Sequence, residues 1–149
     1  MIARSSTASF LPHALMLSGA LPFVAGAILL LLGVDALPLL GRISDSLAAY
    51  GLVIVVFLTG IHWGQQLSLG KVASGLFISS NILAVGVWLA WLLMPERGFI
   101  IFLAIPLVVM LVIDRGLYQA GVLDKAYMIS RAVITGVVLI CLLLAASSL

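Results

Sequence analysis

Residues 47–69 read LAAYGLVIVVFLTGIHWGQQLSL, a run without a single Asp, Glu, Lys or Arg. A helix rises 1.5 Å per residue and the hydrocarbon core of a bilayer is about 30 Å thick, so roughly 20 apolar residues cross it. This run is long enough, and its polar groups gather at one end. It lacks the alternating polarity over about 10 residues that a barrel strand shows, which leaves a helix as the spanning element that satisfies its own backbone.

Working outward, further apolar stretches fall at about 13–33, 72–94, 99–120 and 130–147, the last two carrying Asp114, Arg115 and Arg131. The 149 residues are 64% hydrophobic and 8% charged, with a mean hydropathy of +1.37, whereas soluble domains carry roughly 25% charged residues. That composition excludes a soluble globule and a disordered chain. A lone Cys141 excludes a disulfide scaffold, and a dispersed net charge of +2 argues against nucleic acid. The expectation is an all-α fold, one integral membrane bundle of five transmembrane helices over residues 1–149. Arg4 followed by an apolar run and Ala25-Gly26-Ala27 imitates a secretory signal, but the run continues to Leu32 and so reads as a retained helix. Pro22 and Pro106 each remove a backbone hydrogen bond near the middle of a span and predict kinks.

With five spans, Arg4, Lys71, Arg115, Lys125 and Arg131 share one side, and Arg42 and Arg97 the other. The positive-inside rule then predicts a cytoplasmic N-terminus and a periplasmic C-terminus in a bacterial inner membrane.

The charges flanking the last two spans are informative. Only 16 uncharged residues separate Arg97 from Asp114, about 24 Å of helix, so a charge has to approach the lipid core. Likewise 18 uncharged residues follow Arg131. Asp114 and Arg131, opposite in sign and similar in depth, are expected to face each other, with Thr135 one turn beyond Arg131. His62 lies nine residues before Lys71, at about the same depth, with Gln65 and Gln66 on its face. Ser79, Ser80 and Asn81 fall at that depth on the third span. Gly60 and Gly64 form a small-xxx-small spacing for close helix approach, with Gly116 and Gly121 offering similar thin places.

Several readings of these residues stay open. His62 serves either as interhelical glue, bonding Asn81 or a backbone carbonyl, or as a proton carrier, quinone partner or metal ligand. Asp114 and Arg131 are either a structural pair or a functional one. Tyr50, Trp63, Tyr118, Tyr127, Trp88 and Trp91 read as interfacial anchors. Two histidines, His13 and His62, raise the question of haem, but they differ in depth and no Cys or second carboxylate joins them. No cofactor and no metal is expected, nor any catalytic signature.

Gly19-Ala20-Leu21-Pro22-Phe23, Tyr50, the run Phe57-Leu58-Thr59-Gly60-Ile61-His62-Trp63-Gly64, Asp114-Arg115, and Tyr127 with Arg131 and Thr135 resemble the bacterial multi-pass family of unknown function that includes the mitochondrial transmembrane protein 69 homologues. The resemblance covers nearly the whole chain, and Gly-Ile-His-Trp-Gly is its most specific part. It implies a small bacterial or mitochondrial inner-membrane protein and no established reaction. Thr59 stands where that family often has a second glycine, which implies a looser helix approach here.

Two functions follow as expectations. The first is a non-enzymatic accessory or assembly partner of a larger membrane complex, or a homo-oligomer. The alternative is a small transporter or lipid- or quinone-binding protein, with His62, Gln65, Gln66, Asn81, Asp114, Arg115, Tyr127, Arg131 and Thr135 as candidates for a polar pocket in the cytoplasmic leaflet. The orientation is testable: alkaline phosphatase fused after Leu149 is expected to be active in a bacterial host, and fused within the second connection inactive. The opposite pattern inverts the assignment.

Overall fold

The computed structural model describes residues 14–69 and 74–149; Arg4, His13 and Lys71, used above for depth and orientation, lie outside them. Five helical stretches are long and apolar enough to cross a membrane: Ala14–Leu31, Ile43–Ser68, Gly75–Leu93, Glu96–Gln119 and Lys125–Ser147.

The first span breaks at Gly19-Ala20, and its longer piece is α1 (Leu21–Leu31), which starts with Pro22 in its first turn. Gly33, at φ 75°, ends α1 in a Schellman turn in which Val34 N–H donates to the Leu29 carbonyl. Two short antiparallel strands follow, β1 (Ala36–Leu37) and β2 (Gly41–Arg42), pairing Ala36 with Arg42 and Leu37 with Gly41. Then come α2 (Ile43–Ser68), α3 (Ser74–Leu93), α4 (Glu96–Phe102), α5 (Ala104–Gln119) and α6 (Lys125–Ser147).

The helices overrun several boundaries read from the sequence. α2 begins at Ile43 rather than Leu47, with Asp45 in its first turn, where the helix dipole favours an anion. The fourth span begins at Glu96 rather than Phe99. α6 begins at Lys125 rather than residue 130, because the Asp124 carboxylate accepts the Tyr127 backbone N–H at 2.7 Å and caps the helix. A charge near a span does not end its helix, because an acidic residue is stabilised in a first helical turn or at its cap, where Asp45, Glu96 and Asp124 stand.

α2 is central and packs on α1, α3, α4 and α5, while α6 packs on α1, α4 and α5. Along α2 the buried residues Leu47, Gly51, Val55, Thr59, His62 and Gln66 recur every three or four positions, so one helical stripe runs from apolar to polar. α6 behaves likewise through Arg131, Ile134, Thr135, Val138, Cys141 and Leu142. α3 is peripheral: 11% of its span is buried, against 33% for α2 and α6. Arg42 Nη2 donates to Glu96 Oε2 at 2.6 Å, tying the first connection to the start of α4.

Each of the two prolines follows a short helix interruption, Pro22 after Gly19-Ala20 and Pro106 after Leu103. In the fourth span the interruption falls at Leu103, one turn before Pro106, which has no N–H to give the Phe102 carbonyl. Leu103 is fully buried against Gly51, where an added Cβ would lie 2.4 Å from Leu103 Cδ1. At the first break, the Tyr50 hydroxyl donates to the Gly19 carbonyl at 3.0 Å, and its ring meets Phe23 at a centroid distance of 5.1 Å. Tyr50 is therefore an internal tie between helices and not the interfacial anchor expected.

Gly60, Gly64 and Gly116 give a second correction. A Cβ built on any of them meets nothing within 4 Å, so among the described residues the small-xxx-small spacing brings no other helix close.

Because Leu103 is locked in the core, Gly51→Ala is expected to destabilise the fold by about 1–3 kcal/mol, the usual penalty of overpacking. Adding Leu103→Ala is expected to cost less in that background than in the wild type. Detergent-titrated unfolding of the four proteins reads this coupling.

Candidate functional site

Three helices deliver ionisable groups to one depth. Asp114 lies five residues before the end of α5, Arg131 six after the start of α6, and His62 six before the end of α2, each about 8–9 Å from its helix end. α5 and α6 are joined by a tight connection in which Gly121, at φ 75°, closes another Schellman turn. That turn brings α6 back antiparallel and sets Asp114 opposite Arg131.

Asp114 is the hub. Its Oδ2 accepts from Arg131 Nε at 2.8 Å and its Oδ1 pairs with His62 Nε2 at 2.9 Å. An ionised carboxylate only accepts, so the bond assigns the imidazole proton to Nε2. Relative exposures are 1% for Asp114, 2% for His62 and 6% for Arg131, so the cluster is cut off from water. One carboxylate against one guanidinium balances the charge of that pair, as a low-dielectric interior favours.

The sequence-based pairing of Asp114 with Arg131 is thus present, whereas the expected partners of His62 are not. Asn81 is exposed and spends its amide on the Phe77 carbonyl at 2.8 Å. Ser80 and Thr59 are buried but donate to the carbonyls of Leu76 and Val56 on their own helices. Such back-bonding satisfies a polar side chain without a second helix. Gln66 is buried on the His62 face, and Gln65 is half buried to one side. Arg115, about 100° round the helix from Asp114, is exposed.

Beside the cluster, α1, α2, α5 and α6 enclose a cavity of about 160 Å³. Its walls include Phe23, Leu58, Leu107, Tyr127, Arg131 and Thr135. Tyr127, Arg131 and Thr135 follow one another at four-residue intervals on one face of α6. Of the other pocket candidates, His62, Gln65, Gln66, Asn81, Asp114 and Arg115 do not line it. Two buried atoms of the residues on its polar wall, Arg131 Nη2 and Thr135 Oγ1, have no hydrogen-bond partner among the described residues. His62 Nδ1 and Gln65 Oε1 are also without one. Sequence spacing found the polar wall, but the apolar walls depend on how four helices diverge, which no local pattern encodes.

Among the described residues, no three His, Cys, Asp or Glu side chains come together as metal ligands. A family model described as a protein of unknown function, DUF3429, matches residues 9–147. No curated protein and no solved structure matches the chain.

Removing one charge of a buried pair strands the other. Arg131→Met alone is expected to cost about 3–5 kcal/mol. Adding Asp114→Leu is expected to recover most of that, apart from about 1–3 kcal/mol for the His62 donor left unpaired. Unfolding of the purified variants in mixed micelles measures both.

Proposed function

The chain belongs to the DUF3429 family of proteins of unknown function, and on that premise we propose that it is a non-catalytic membrane protein that holds a lipid-like molecule in the cavity beside Arg131. One observation carries this reading: an apolar cavity is bordered by Arg131 and Thr135, which each keep a buried hydrogen-bonding atom unused. Buried polar atoms are nearly always partnered, and an unpartnered one costs about 1–3 kcal/mol, so two on one cavity wall mark a place for a ligand oxygen. The same protein without a ligand carries that cost as a local weakness.

The proposal includes a bacterial inner membrane, a cytoplasmic N-terminus and kinship with the mitochondrial transmembrane protein 69 homologues. The five-to-two bias of positive charges supports the orientation, and the Gly-Ile-His-Trp-Gly run supports the kinship. The cavity then lies in the cytoplasmic half of the bilayer.

A second reading, an accessory or assembly subunit of a larger complex or a homo-oligomer, is favoured by the exposed Gly60 and Gly64. Their spacing suits close helix contact, yet among the described residues no other helix meets them.

Purification from the native membrane in mild detergent, followed by mass spectrometry of everything retained, separates the two. A small amphiphile bound in stoichiometric amount, and lost from the Asp114→Leu/Arg131→Met variant, is the expected result. A stoichiometric polypeptide with no retained small molecule would overturn the cavity reading in favour of the subunit.

A further inference from the structure

The cavity constrains what enters it more tightly than its greasiness alone, and this inference rests on the reading just proposed. Size is the first constraint. An apolar cavity of about 150 Å³ admits benzene, so about 160 Å³ accommodates one six-membered ring and not a whole acyl chain. Shape is the second. Leu15 and Phe57, two of the lining residues, are more than half exposed, whereas Phe23, Leu107 and Thr135 are buried. The cavity therefore has a closed end at the polar wall and an open end toward lipid, where a tail continues into the bilayer.

Charge is the third constraint and decides the head chemistry. The Arg131 guanidinium is already balanced by Asp114, so a carboxylate or phosphate entering here brings a net negative charge into a low-dielectric site. A neutral oxygen acceptor meets no such penalty and still takes up Arg131 Nη2 and the Thr135 hydroxyl. Tyr127, partly exposed on the cavity wall, supplies an aromatic face for a flat ring.

We infer that the cavity is a binding site for the head of a neutral, carbonyl-bearing ring amphiphile of the quinone class, its carbonyl oxygen held by Arg131 Nη2 and Thr135 Oγ1 and its tail leaving between Leu15 and Phe57. The inference concerns binding; it invokes no electron transfer.

The test compares three ligands that share a ten-carbon tail: decyl-trimethyl-1,4-benzoquinone, whose substituted ring does not add to thiols, decyl-trimethylbenzene and decanoate. Each is titrated into phosphatidylcholine nanodiscs with and without the full chain, and the saturable excess retained by the protein is measured. The quinone is expected to bind tightest. Thr135→Val, which replaces an unpartnered hydroxyl with a methyl of similar size, is expected to leave the fold at least as stable and to weaken the quinone about fivefold, the value of one neutral hydrogen bond. Decyl-trimethylbenzene is expected to be indifferent to that change.

Equal binding of the quinone and decyl-trimethylbenzene would overturn the role of the two donors. Tighter binding of decanoate would overturn the neutral-head argument while leaving the lipid-binding cavity standing. Saturable retention of none of the three would remove the cavity reading itself.

Discussion

One carboxylate organises one end of this bundle. Asp114 accepts from two helices that are neighbours of α5, and each bond runs to a different oxygen, so α2 and α6 are fixed in register to the same residue. In lipid the alternatives are poor, because an unpaired charge has neither water nor a mobile counterion to turn to. The apolar contacts around it are less selective. Leu, Ile and Val pack acceptably in many registers, and lipid tails compete for the same surfaces. The polar hub distinguishes one helix arrangement from its neighbours, at the cost of burying charges that a purely apolar core avoids.

The path from sequence to fold was short where hydrophobicity decides and long where rotation decides. Five spans follow from runs of Leu, Ile, Val and Ala, and the Asp114–Arg131 contact from two charges trapped at one depth. Depth is a one-dimensional quantity that a chain with fixed rise per residue reveals. Azimuth is not. Ser80 and Asn81 lie near the depth of His62, yet each bonds its own helix, and Asn81 is exposed. Tyr50 looked like an anchor because aromatic residues favour interfaces, whereas a neighbouring helix break supplied a carbonyl for its hydroxyl. Helix ends differ from the sequence reading for a related reason, since Asp45 and Asp124 promote helix starts and are also charges that bound the apolar runs.

The site was legible in part. Tyr127, Arg131 and Thr135 share a four-residue period that places them on one face, and all three line the cavity. What makes them the end of a chamber is the absence of filling side chains between α1, α2 and α6, a property of the assembled bundle. The cluster and the cavity also divide the labour of Arg131. Its Nε serves the fold through Asp114, and its Nη2 is left for something else.

The interruption at Leu103 has a mechanical consequence. α4 and α5 are two rigid rods joined at a buried leucine that rests on Gly51, and the rods differ in their duties: α4 packs on α2, α3 and α6, while α5 carries Asp114. When the host bilayer thins or thickens, an unbroken helix has to tilt along its whole length to match it. The interruption at Leu103, seven residues into this span of 24, gives it a place to bend between α4 and the helix that carries Asp114, which a continuous helix lacks.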